Sequence, residues 1–234
     1  MGNYSDLCKR YLMFTKEEIT GVIVSILVLT MIVAFDDKSE TFNISSWIGN
    51  FLVWLIIVAS SFIVHQLGHR LIGLKIGYRV EYRIWWYGLL IGIVVMLLTR
   101  GKFWVLVPGS ILVHHMQLHR LGKFRFGPNV FSFSMISLWG PLASIFFAAI
   151  VKTLQVWFGL AIFGEAFVDK LFMFNLWLAA YALLPIPPLA GSRIFFHSRA
   201  IYVFVAASVI AYAILISLGV FSFVFAVLIG LAVW

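Results

Sequence analysis

Residues 51–79 read FLVWLIIVASSFIVHQLGHRLIGLKIGYR, and this stretch decides the fold. From about Trp47 to Leu74 the chain is apolar enough for one membrane-crossing helix. Such a helix needs about 20 residues to cross a hydrocarbon core of about 30 Å. His65, Gln66 and His69 stand in its last third, and Arg70, Lys75, Arg79 and Arg83 follow. Residues four apart on a helix lie one turn apart on one face, so the two imidazoles can reach a single point. The cationic flank places this end of the helix on the cytoplasmic side.

The rest of the chain agrees with a lipid solvent. Of its 234 residues, 63% are hydrophobic and 11% charged, and the mean hydropathy is +1.05. A chain with so little polar surface cannot cover itself in water. The length allows roughly five to seven spans of about 20 residues. The net charge of +8 does not point to nucleic acid, because the cations cluster at the ends of apolar runs (Lys9, Arg10; Arg70 to Arg83; Arg120, Lys123, Arg125; Arg193, Arg199). That is the positive-inside distribution, with some attraction to anionic lipid. Cys8 is the single cysteine, which excludes an intrachain disulfide.

These patterns predict an all-α, polytopic membrane protein of about six transmembrane helices. Residues 1–17 form a cytoplasmic N-terminal segment, and residues 18–234 one membrane-embedded domain. The first span, about Glu18 to Phe35, reads as a retained anchor, because Asp36 and Asp37 follow without a small-residue cleavage site. A mostly acidic loop (Asp36, Asp37, Lys38, Glu40) lies on the outer side. The third span is about Phe131–Phe158, Glu165 and Asp169 mark an outer loop, and the fourth is about Lys170–Leu189. Residues 200–234 hold two short spans divided at Gly219. The N-terminus and the histidine side are both cytoplasmic.

Residues 84–113 follow a different rule. Two apolar stretches of about 15 residues flank Arg100-Gly101-Lys102, each about 22 Å long as a helix and therefore too short to cross. A re-entrant hairpin or interfacial strands lining a cavity is the preferred expectation, with two short tilted spans as the alternative.

The histidine pair has the shape of a zinc-binding HExxH helix with Gln66 in place of the general base. In such a site a carboxylate takes a proton from metal-bound water. A carboxamide can orient water but cannot accept that proton, and losing a general base lowers a rate by about 10² to 10⁴. Two hydrogen-bonded packing histidines are the alternative. A second segment, Leu183-Leu184-Pro185-Ile186-Pro187-Pro188-Leu189-Ala190-Gly191, bears on the choice. Its prolines cannot continue a helix, and non-helical backbone at membrane depth needs burial in protein or a watery cavity.

With both segments in view, residues 51–197 resemble the site-2 protease family of intramembrane zinc metalloproteases. Phe62 to His69 is similar to the family's F-x-x-H-E-L-G-H, Gly140-Pro141-Leu142 lies in the middle span, and Leu183 to Gly191 is similar to L-L-P-I-P-P-L-D-G. The resemblance implies about six helices around a zinc site below the cytoplasmic face, and hydrolysis of peptide bonds in or beside a substrate's transmembrane helix. In that chemistry zinc polarises the scissile carbonyl and the carboxylate activates water. His65 and His69 match the two His ligands, and Ala190 stands at the Asp ligand. Ala182 stands at an Asn that holds substrate or transition state, and Asn175 matches a further Asn. The substrate cleft would include Asn175, Pro185, Pro187 and Pro188.

Gln66, Ala182 and Ala190 are thus the departures, and all three fall on the chemistry. They read as the inactivation of an active protease, with a natural pseudoprotease that binds transmembrane segments as the alternative and a small transporter or channel as a third. Two His without a carboxylate predict weak or absent zinc in this chain, although the parent form would hold it. The implied partners are a transmembrane peptide or protein substrate and membrane lipid; a homo-oligomer is left open. His114, His115 and His119 include another i, i+4 pair, read as a basic interfacial turn. Gly73, Gly77, Gly92, Gly101 and Gly109 allow close backbone approach, by substrate or by the chain's own packing.

Overall fold

The computed structural model describes residues 4–36, 43–115, 130–159, 164–217 and 229–233. The elements in order are α1 (Tyr4–Tyr11), α2 (Lys16–Ala34), α3 (Ile44–Ile76), β1 (Tyr78–Ile84), α4 (Trp86–Thr99), β2 (Gly109–His115), α5 (Val130–Phe158), α6 (Glu165–Ala182), α7 (Ala190–His197) and α8 (Arg199–Ser217). The chain is mainly helical, as the sequence implies, but it also carries a two-stranded sheet. Among the described residues α2, α3 and α5 are long and apolar enough to cross a membrane. The protein is therefore membrane-embedded on length and composition. α6 and α8 stand where a fourth and fifth span are expected; the sixth falls mostly within 218–228, outside the described residues. Lys38, Glu40 and His119 also lie outside them.

Local chemistry sets the helix ends. Thr15 accepts from the Glu18 N–H and the Glu18 carboxylate accepts from the Thr15 N–H, a capping box that starts α2. Asn43 caps α3. Gly77, at φ 94°, ends α3 by donating to the Gly73 and Leu74 carbonyls, a left-handed turn that glycine adopts without a steric penalty. The chain then enters β1 at once.

Residues 84–113 resolve into one helix and one extended arm. α4, of 14 residues, reaches about 21 Å and reverses at Arg100-Gly101, both left-handed. The return arm runs extended into β2, which pairs antiparallel with β1 in the register Tyr82↔Ile111 and Ile84↔Gly109. The Trp85 N–H donates to the Pro108 carbonyl and closes the base of this hairpin. Gly92 is required by packing within the chain: a Cβ there would press on the Val105 carbonyl and Ile32.

One buried ion pair ties these parts together. Arg70 and Glu18, 2% and 6% exposed, meet through Arg70 Nη2 and Glu18 Oε1 at 2.5 Å. The same carboxylate oxygen accepts the Tyr82 N–H at 2.7 Å. Arg70 Nη1 donates to the Leu12 and Met13 carbonyls, and its guanidinium lies 4.0 Å from the centre of the Phe14 ring. Arg70, grouped with the exposed flank by sequence, thus belongs to the interior. The reason is that its opposite charge comes from 52 residues away.

Removing one member of a buried pair leaves the other charge without a partner, at about 3–5 kcal/mol. Arg70→Met and Glu18→Leu should each lower the thermal unfolding midpoint in detergent. The double variant should lose less than the sum of the two, and strict additivity would show that the pair does not act as a unit.

Candidate functional site

The histidine helix α3 and α5 cross in close contact. A Cβ at Gly68 would overlap the Trp139 carbonyl and the Ala143 side chain, and one at Gly140 would overlap the His69 ring. Glycine at both positions lets the helix axes approach closely enough for α5 to hold the imidazoles. His65 Nδ1 lies 2.9 Å from Ser144 Oγ. His69 Nδ1 lies 2.7 Å from the Ile136 carbonyl; a carbonyl only accepts, so this nitrogen carries the proton and leaves Nε2 as the acceptor. Pro141 has no N–H for the Ser137 carbonyl, which loosens α5 in the adjoining turn.

The two rings sit 5.0 Å apart between centroids, at 81° to one another. They line a cavity with Gln66 of α3, Gly109 to Ile111 of β2, Leu178 and Ala182 of α6, and Leu189 and Ala190 at the start of α7. His65, Gln66, His69, Ala182 and Ala190 are therefore brought together on one cavity. The turn that carries Ala190 past α6 is tight: a Cβ at Gly191 would overlap the Leu183 carbonyl.

The remaining sequence candidates sit elsewhere. Asn175 is fully buried, and its Nδ2 donates to Ser61 Oγ and the Leu171 carbonyl. It joins α6 to α3 and does not line the cavity. Pro185 and Pro187 are exposed and Pro188 is half-buried; Pro187 lines a neighbouring groove with Leu112, Arg193 and Phe196. His114 faces outward and its Nε2 lies 3.4 Å from Glu81.

Several contributors escaped the sequence reading. Ser144 lies one turn beyond Gly140 on α5, so its spacing from the Gly-Pro pair was the available signal. Tyr82 was not singled out; its hydroxyl bonds Ser25 Oγ and donates to the Pro108 carbonyl, and so fixes the arm that forms one wall. The Tyr181 hydroxyl donates to the Trp104 carbonyl and fastens the same arm to α6.

The cavity's donor set can be tested against zinc. A catalytic zinc site takes three protein ligands and leaves one position open. Here two imidazoles face the cavity, a carboxamide and two methyl groups complete the matching positions, and no cluster of three or more His, Cys, Asp or Glu occurs among the described residues. The side chains present do not fit a three-ligand zinc site. They form a neutral pocket with two oriented acceptor-donor rings, able to bind water or a peptide amide.

The chain is 29% identical over 210 residues to a protein of Methanocaldococcus jannaschii named "putative zinc metalloprotease", a match covering 85% of this chain and 94% of that protein. No family model matches the chain, and no solved structure matches it significantly. The similarity supports a metalloprotease family.

The Gly140–His69 contact generates a sharp expectation. Gly140→Ala should be destabilising by about 1–3 kcal/mol, the usual effect of overpacking. The penalty should vanish when His69→Ala removes the ring. Thermal unfolding of the four variants reads this directly, and an unchanged midpoint in Gly140→Ala alone would refute the contact.

Proposed function

We propose that this chain is an intramembrane metalloprotease scaffold of the site-2 protease kind, present in a catalytically disabled form. The parent form would hydrolyse peptide bonds in or near transmembrane helices of a substrate, with the site opening toward the cytoplasm. What supports the reading is the meeting of two half-motifs, distant in sequence, on one cavity: His65, Gln66 and His69 face Ala182 and Ala190. The similarity to a protein named as a metalloprotease points the same way.

The residues themselves explain the disablement. Gln66 keeps the shape of a glutamate and can hold a water by hydrogen bonds, but it cannot take that water's proton. Ala190 has no side-chain oxygen for a cation, and Ala182 has no side-chain amide to hold a substrate carbonyl. His65 and His69 remain oriented because α5, through Ser144 and the Ile136 carbonyl, supplies their outer hydrogen bonds. Without a cation, carboxylates at positions 66 and 190 would be buried charges without partners, which is unfavourable at membrane depth. Their replacement leaves a neutral site.

The test is zinc per chain by elemental mass spectrometry. This protein is compared with the Gln66→Glu, Ala182→Asn, Ala190→Asp triple variant, both purified identically in detergent. Zinc near one per chain in the variant alone, with zinc-dependent cleavage of a transmembrane peptide, is the expected result. Zinc in neither would turn the assignment toward a pseudoprotease; equal zinc in both would mean that other residues complete the site.

A further inference from the structure

Arg193 is a half-buried cation beside the site with no carboxylate partner among the described residues. Its Nη2 donates to the Ile111 carbonyl at 2.7 Å. No carboxylate lies within 4.0 Å of it among the described residues. The sequence gives the reason: no Asp or Glu occurs between positions 82 and 164, or after Asp169. Two acids at the sheet are committed, Glu18 to Arg70 and Glu81 to Arg79 and His114. A guanidinium has five N–H donors in a planar fork matched to a carboxylate, and among the described residues Arg193 gives one, to the Ile111 carbonyl.

The surroundings define what shape of ligand fits. Tyr82 and Ile111 are opposite one another in the sheet, and the Tyr82 N–H points away from β2, to Glu18. In an antiparallel pair the backbone groups of such opposite residues both point outward. Ile111 therefore presents its polar groups on the edge away from β1, where Arg193 meets its carbonyl. Beside this edge runs a groove of about 500 Å³ with apolar walls from Val113, Phe133, Pro187 and Phe196. Ile111, whose carbonyl Arg193 meets, lines the histidine cavity, and Arg193 lines the groove, so this contact stands between the two.

We infer that this groove binds a peptide segment through a carboxylate that pairs with Arg193, its apolar side chains lying against the groove walls. The inference rests on the reading that the cavity receives a peptide, and it names a recognition element for that peptide. The carboxylate can come from a chain terminus or from an Asp or Glu side chain, and the experiment separates the two.

Three fluorescein-labelled octapeptides of alternating leucine and alanine are titrated into the full chain in detergent, metal-free, and followed by anisotropy. One ends in a free carboxylate, one is amidated, and one is amidated with a central glutamate. At least one carboxylate peptide should bind about tenfold more tightly than the plain amide, and the tighter of the two identifies the source. The preference should vanish in Arg193→Gln and persist, weakened, in Arg193→Lys, which keeps the charge and loses the fork. The Lys variant carries the test if the Gln variant does not fold. Equal binding of all three peptides overturns the inference, and so does a preference that survives Arg193→Gln. Displacement of the peptides by stoichiometric phosphatidylglycerol also overturns it, by assigning Arg193 to a lipid phosphate. The assay uses the unreverted chain without metal, so zinc failing to bind the triple variant would sink the protease reading and leave this one standing.

Discussion

The Glu18 carboxylate is the point on which the remaining geometry depends. Buried charge in a low-dielectric interior is tolerated only when its hydrogen-bonding capacity is filled. Here the carboxylate takes one N–H from the start of its own helix, one from Arg70, and one from the outer edge of β1. Arg70 follows His69 directly, so the turn of α3 that bears the histidines is fixed by α2, β1 and the residues before α2. The strand register then carries the constraint across the sheet and sets Gly109 to Ile111 opposite the imidazoles. From the other side, Gly68 and Gly140 let α5 come close enough to hold both rings. The site is shaped between a charge pair and a close helix crossing.

Much of this was legible in the sequence, and the limits have physical causes. The apolar runs mark α2, α3 and α5 to within a few residues, because lipid forces every backbone group of a span to bond within its own helix. The two short stretches around Arg100 read as a re-entrant hairpin or interfacial strands, with two short tilted spans as the alternative, and the structure has one helix and one strand there. Pro108-Gly109-Ser110 interrupt the second stretch and disfavour a helix there, while Gly88 and Gly92 of α4 make room for the returning arm. Arg70 and Arg193 look like any other flanking cations. The positive-inside tendency counts charges near helix ends and carries no information about which of them turn inward. The Thr15–Glu18 cap was written in the local sequence, but the additional partners of Glu18 lie 52 and 64 residues away.

The imidazole pair is held in place by α5 with no carboxylate lining the cavity beside it. Each ring is oriented through Nδ1 by α5, and both rings line the cavity. Orientation by outer hydrogen bonds is what a metal-binding histidine needs, and it is equally what a pair of packing histidines would show. The difference between these lies in the third corner, where α7 begins at Ala190, and at Gln66. Both positions are reached by backbone that is already in place, with Gly191 allowing the turn against Leu183.

The length of α3 carries a consequence of another kind. Its 33 residues measure about 50 Å, against a hydrocarbon core of about 30 Å. A helix that exceeds its bilayer accommodates the excess by tilting or by protruding. His69 lies seven residues from the C-terminal end of that helix, about 10 Å along the axis. The depth of the cavity below the lipid headgroups is therefore a property of the host membrane as well as of the chain. A thicker bilayer sinks the imidazoles further from bulk water, and a thinner one raises them toward it. Lipid thickness thus becomes a setting for the hydration of this site, adjustable without altering a single residue.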